Sequence, residues 1–234
     1  MKIEFNSLDN NLTEKDIISK ALEYHSRNDL LAAKFYYKLF LEKGYKDQRA
    51  FSNYAAIKFK EGDVEESVKL WEKSVSLYPE DFLSYYNLGN GLKKLKNLNG
   101  AEFATRKAIK IKPDFAKALN NLGSILKDLG KMKEAESEFR KAILLNSNYM
   151  YAHLNLGRIL HEIGDLKNAE LETRKAISLK PNFPIALCNL GSVLKKVGEL
   201  KEAELVTKKA IKQKPDFVNA YVKLSNILKD NGKL

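Results

Sequence analysis

Asparagine recurs in this chain at a fixed interval, with Asn53, Asn87, Asn121, Asn155 and Asn189 each 34 residues apart. A carboxamide offers a donor and an acceptor together, so a row of them can pair with the main chain of an extended peptide whatever side chains that peptide carries. One interval beyond Asn189 the column holds Lys223. Cations accompany the row, among them Lys94, Lys117, Lys127, Arg158 and Lys195. With Tyr86, Asn90 and Tyr151 they make a lining suited to an acidic or phosphorylated segment. Bond-making chemistry has no comparable signature. His25, His153 and His161 stand apart from any cysteine pair, and the eight residues between His153 and His161 do not suit one metal ion. The chain has neither a phosphate-cradling glycine loop nor a nucleophile elbow, and Cys188 reads as an ordinary thiol. No catalytic residue, metal ligand or cofactor site is expected.

A repeat of the same length must position these side chains. Gly123 is matched at Gly89, Gly157 and Gly191, with Ala21, Ala55 and Ser225 in the same column; Leu122 is matched at Leu88, Leu156, Leu190 and Leu224. Ala135 is matched at Ala33, Ala101, Ala169 and Ala203. Within a unit Leu119, Leu122, Gly123 and Leu126 fall on one helical face, and Ala135, Phe139, Ala142 and Ile143 repeat that spacing after Gly130. Each unit is therefore a helical hairpin. Gly62, Gly130, Gly164, Gly198 and Gly232 share the inter-helix column, where a left-handed backbone can end the first helix. Pro79, Pro113, Pro181 and Pro215 share a column after the second helix, which Ser147 interrupts. On the first helix of one unit, Lys117, Asn120, Asn121, Ser124, Lys127 and Asp128 lie opposite the apolar stripe.

A large residue, Leu-Gly, a large residue, Ala, an aromatic and Pro at these offsets resemble the tetratricopeptide repeat family. From Phe82 onward the pattern reads Tyr85, Leu88, Gly89, Leu92, Ala101, Thr105 and Pro113, with Thr replacing the aromatic at Thr105, Thr173 and Thr207. The resemblance implies an all-α, right-handed solenoid of antiparallel hairpins whose first helices line an inner groove. It would place Asn53, Asn87, Asn121, Asn155, Asn189, Tyr86, Asn90, Lys94, Lys117, Lys127, Tyr151, Arg158 and Lys195 along that groove. The Asn column is similar to the asparagine ladder in the repeat domain of O-linked N-acetylglucosamine transferase. The pairs Ser52/Ala56, Tyr86/Asn90, Asn120/Ser124 and Leu154/Arg158 depart from the Lys and Asn of the carboxylate-clamp subfamily.

Hydrophobic residues make up 44% and charged residues 30% of the 234, as in a helical protein with a packed interior and a solvated surface. No apolar run is long enough for a membrane span, and MKIEFNSLDNN lacks the core of a signal peptide. A single cysteine agrees with a reducing, cytoplasmic location. We expect residues 1–13 to form a flexible arm. A single array follows over 14–234, with units 14–47, 48–81, 82–115, 116–149, 150–183 and 184–217 and a terminal helix in 218–234. The last helix lacks a hairpin partner; it closes the stack, continues in a longer chain or is covered by another subunit through self-association. Net charge is +11, with 13 basic and 15 acidic residues before residue 82 and 28 and 15 after it. Many of the later cations, Arg106, Arg140, Arg174 and Lys208 among them, recur on the outward side of the second helix, a solvated face.

These features point to a non-catalytic scaffold that binds an extended, acidic peptide segment of a protein partner, without membrane insertion. Two other readings stay open: the substrate-recognition portion of a larger glycosyltransferase or sulfotransferase, and nonspecific RNA binding through the basic surface.

Overall fold

A computed structural model describes residues 12–232. Among them are thirteen helices: α1 (Glu14–Ser26), α2 (Leu30–Glu42), α3 (Gln48–Glu61), α4 (Val64–Leu77), α5 (Phe82–Lys94), α6 (Leu98–Ile111), α7 (Ala116–Asp128), α8 (Met132–Leu145), α9 (Met150–Ile163), α10 (Leu166–Leu179), α11 (Pro184–Val197), α12 (Leu200–Gln213) and α13 (Val218–Asp230). No strand occurs among the described residues. Helices of 13 or 14 residues are marginal alone, so their stability comes from packing. Consecutive helices pair into antiparallel hairpins, α1 with α2 through α11 with α12, and the helices form two compact units, one ending at Pro113 and the other beginning at Asp114.

In the first unit Tyr37, Phe40 and Trp71 are almost wholly buried, and Tyr24 stacks on Tyr36 with ring centroids 5.6 Å apart. In the second, Leu122, Ile125, Leu126, Phe139, Leu156, Ile159, Leu160 and Leu194 fill the interior. Each such side chain is worth about 1.5–3 kcal/mol when taken out of water. The alanine column marks where helices approach closely: Ala33, Ala101, Ala135, Ala169 and Ala203 have no exposed surface. The glycine column lies against the next helix too. A Cβ on Gly123 would fall 2.7 Å from the Phe139 ring, and at Gly89, Gly157 and Gly191 it would fall 2.3–2.5 Å from Oγ1 of Thr105, Thr173 and Thr207.

Caps set the helix starts. Thr13 and Asp16 form a reciprocal capping box at α1. Second helices begin at a polar column, with Asp29, Asp63, Asn97 and Asp165 each accepting from the backbone three residues on. The inter-helix glycines Gly62, Gly130, Gly164, Gly198 and Gly232 all have φ between 66° and 96°. Asn28 (φ 59°) and Lys96 (φ 64°) occupy the same column without being glycine. Asparagine tolerates that conformation and lysine does not, so at Lys96 the geometry of the turn is kept where the residue does not favour it.

Candidate functional site

The hairpin arrangement gives the first helices a shared side: in the second unit α7 packs beside α9, α9 beside α11 and α11 beside α13, while in the first α3 packs beside α5. Asn155, bonded across the α7–α9 contact, and Asn189, lining a space among α9, α11 and α13, sit on this side, and the members of the Asn column differ in what they bond. In the first unit Nδ2 of Asn53 donates to the Tyr37 hydroxyl oxygen at 2.9 Å. That hydroxyl lies 3.1 Å from Nδ1 of His25. Burial pushes the Tyr37 hydroxyl up and the His25 imidazole down, so both stay neutral at pH 7 and the Tyr37 proton is available to the ring nitrogen. Asn87, Asn90 and Tyr86 are half-buried on α5, and the Lys94 ammonium stands 4.8 Å from the centre of the Phe59 ring.

In the second unit Nδ2 of Asn155 donates to Oδ1 of Asn120 on the preceding repeat at 2.9 Å. Asn121 is only 9% exposed, and neither its Nδ2 nor that of Asn189 has a hydrogen-bond partner. A buried donor left unpaired costs about 1–3 kcal/mol, which makes these two amides the unusual members of the row. Lys117 and Arg158 are exposed. Lys127 lies 3.7 Å from Asp128, and Lys195 is 3.0 Å from Asp230. Tyr151 is 48% exposed and sits edge-on to Tyr149 and Phe183.

Asn189 and Arg158 open into a cavity of about 440 Å³, where α9 and α11 contribute His161, Glu162 and Ser192 and α13 contributes Lys223. A second cavity of about 240 Å³ shares His161, Ser192 and Lys223 and adds Lys195 and Lys196. Lys223 is half-buried, with Nζ donating to the Cys188 carbonyl at 3.3 Å, and Oγ of Ser192 donates to the same carbonyl at 3.1 Å. Burial holds the Lys223 amine below the usual lysine range, and Arg158 pushes it the same way. The His161 imidazole is lowered by burial and then by Lys196. The Cys188 thiol is raised by burial, which keeps it protonated and unreactive.

His161 and Lys223 were not among the residues expected to line the site. Their columns held the signal: His161 lies midway between Lys127 and Lys195 at the 34-residue interval, and Lys223 follows Asn189 by one interval. His153, by contrast, is 5% exposed, with Nδ1 2.6 Å from Oε2 of Glu172 and Nε2 3.0 Å from the Ser147 carbonyl. On the second helices the recurring cations are paired within their own helix: Arg106 with Glu102, Arg140 with Glu136, Arg174 with Glu170 and Lys208 with Glu204, at 2.7–2.9 Å. At the far end α13 leaves Val218, Tyr221 and Val222 exposed, whereas the α11 equivalents of the last two, Leu187 and Cys188, are buried. No described helix is long and apolar enough to cross a membrane.

Solved structures share this fold at low identity. The Cut9 and Hcn1 hetero-tetramer of the APC/C aligns over 92% of this chain with a TM-score of 0.78 and 17% identity, and the chain spans only 43% of that protein's length. YrrB, described as a TPR protein with an unusual peptide-binding site, aligns over 80% of this chain and 96% of its own, with a TM-score of 0.63 and 22% identity. A tetratricopeptide repeat protein from Parabacteroides merdae aligns over 94% and 87%, with a TM-score of 0.77 and 18% identity. No curated protein matches the sequence. The tetratricopeptide repeat profile matches residues 83–115, 116–149, 151–183 and 185–217, more than half of the chain, and the glycine, alanine and leucine columns that define its hairpins are those that pack here: this chain belongs to the tetratricopeptide repeat family.

Proposed function

We propose that this protein is a non-catalytic interaction scaffold whose first-helix face takes an extended, acidic segment of a partner protein. The observation that carries the reading is the pair of buried, unpaired amide donors at Asn121 and Asn189. A peptide carbonyl is the acceptor they would gain on turning outward, and a main-chain acceptor would make binding tolerant of the partner's sequence. In this reading the column works as in the O-linked N-acetylglucosamine transferase repeats it resembles. Lys117 and Arg158, both exposed, would favour carboxylates or other anions along the segment. YrrB, similar in fold, is described as having a peptide-binding site. The second-helix face fits nucleic acid less well, because its arginines already have glutamate partners one turn away.

The test is selection from a random peptide library on the intact protein, followed by calorimetry of the selected peptides. Enrichment of Asp and Glu is expected, together with a loss of about 0.5–1.5 kcal/mol of binding for each of Asn121→Leu and Asn189→Leu. Selected peptides without acidic residues, or affinities untouched by both changes in a folded protein, would overturn the reading.

A further inference from the structure

The paired cavities among α9, α11 and α13 hold more positive charge than their own side chains balance. Arg158 and Lys223 line the larger and Lys196 the smaller, and none of the three makes an ion pair among the described residues. Glu162 is the one carboxylate lining either cavity, and Asp230 nearby is held by Lys195. One further donor has no acceptor, the buried Nδ2 of Asn189, and the buried Nε2 of His161 likewise makes no hydrogen bond. Ser192 lines both cavities, but its hydroxyl proton is committed to the Cys188 carbonyl. Asn219 and Asn226 add carboxamides, and Ile185, Val193 and Phe217 make an apolar stretch of the wall.

From this arrangement we infer that the cavity is a seat for a phosphoryl group carried on a side chain of the bound segment. The inference rests on the peptide-binding reading above and names what one part of that segment carries. A phosphate monoester brings a charge of about −1.5 to −2 and three acceptor oxygens at neutral pH, where a carboxylate brings one charge and two oxygens. Only the former matches three unpaired cations against one glutamate and still leaves an acceptor for Asn189. Arg158 supplies the planar fork that phosphate oxygens accept in pairs, and Lys223 and Lys196 supply point charges. The apolar wall accommodates the carbon stem. The lowered basicity of His161 and Lys223 has the same origin, since burial and cationic neighbours disfavour their charged forms, and an anion in the cavity reverses that penalty.

The test is a titration of the isotope-labelled full chain by two-dimensional NMR at fixed ionic strength. The probes are N-acetyl-phosphoserine amide, N-acetyl-glutamate amide, inorganic phosphate and oligothymidylate. The phosphoserine compound should give saturable shifts at the Asn189 side-chain amide and at the Gly157 and Ser192 backbone amides, with an affinity about tenfold or more above that of the glutamate compound. Arg158→Gln and Lys223→Gln should each weaken it about fivefold or more, and Arg140→Gln on the second-helix face should not. Equal binding of the glutamate compound overturns the phosphoryl assignment. Equal binding of inorganic phosphate overturns its attachment to a segment, and tighter binding of oligothymidylate replaces the peptide with a nucleic acid. Shifts spread without saturation over the surface lysines overturn the seat altogether. If the seat fails while selected acidic peptides still bind through Asn121 and Asn189, the groove reading stands without it; if the phosphoserine compound binds as expected and no peptide does, the groove reading is the one that falls.

Discussion

Gly123 lies against the ring of Phe139 so closely that a methyl group on its Cα would come within 2.7–2.9 Å of three ring carbons. Phe139 is 1% exposed, so its ring can move only by displacing packed neighbours. In the neighbouring repeats the same glycine meets a threonine, and the larger aromatic is absent. Gly123→Ala should therefore overpack and cost about 1–3 kcal/mol, measured by urea unfolding. A loss below about 0.5 kcal/mol would mean that α7 and α8 can separate without penalty.

Lys96 shows what a column can conceal. Its backbone stands at φ 64°, a conformation worth about 1–2 kcal/mol against an L-residue, at a place where most repeats carry glycine. Lys96→Gly should raise stability by about 0.5–1 kcal/mol, the relief being partly offset by the greater freedom glycine has when unfolded. The reciprocal change, Gly130→Ala at φ 79°, should lower it by a similar amount. Denaturant melts of the two variants with opposite signs confirm that the turn, and not a contact, is responsible; Gly130 has open space around its missing Cβ.

Much of the fold could be read from the sequence because the repeat presents the same hairpin several times, and columns such as Ala135 and Gly123 report packing independently of one another. The turn at Lys96 was legible only through the 34-residue interval from Gly62 and Gly130, since lysine itself carries no preference for a left-handed backbone. The site was legible to a lesser degree. Asn121 and Asn155 stand in one column with one chemistry, yet one amide is stranded and the other is bonded to Asn120. That difference depends on the residue one position earlier in the preceding repeat, which a column does not display. Lys223 read as the end of the row, and its half-buried seat over the Cys188 carbonyl exists only because α11 and α13 pack side by side.

His153 and Glu172 make stability depend on pH in a stated direction. The hydrogen bond that Nδ1 of His153 donates to Glu172, assisted by the one to the Ser147 carbonyl, raises the imidazole pKa above its ordinary 6.5 despite burial and the opposing charge of Lys175. The folded protein thus holds the proton more tightly than the unfolded chain. Its contribution is complete below the unfolded pKa of 6.5 and is lost as pH rises through the raised folded value. His25 and His161 are shifted the other way, so the comparison must be between the native protein and His153→Gln at each pH. We expect that difference to be about 1.5–3 kcal/mol in mildly acidic buffer and to shrink steadily toward alkaline pH. A difference that grows with pH would reverse the assignment of the charged form.

Asn121 offers the sharpest separation of a binding role from a structural one. It is 9% exposed, and its Nδ2 has no partner, so the folded protein carries the cost of desolvating a donor without recovering a hydrogen bond. Replacing it with leucine keeps similar bulk and removes that cost, so Asn121→Leu should leave stability unchanged or raise it by up to about 1 kcal/mol. Asn155→Leu breaks the bond to Asn120 and should lower stability by about 0.5–1.5 kcal/mol. If the stranded donor awaits a peptide carbonyl, the more stable variant is also the weaker binder, which is the trade expected when a site is held unsatisfied for its ligand. Parallel urea melts and calorimetry on a selected acidic peptide decide the point. Stability gained together with affinity lost at Asn121 supports the ligand role, and stability lost with affinity unchanged would make this asparagine part of the repeat's own packing.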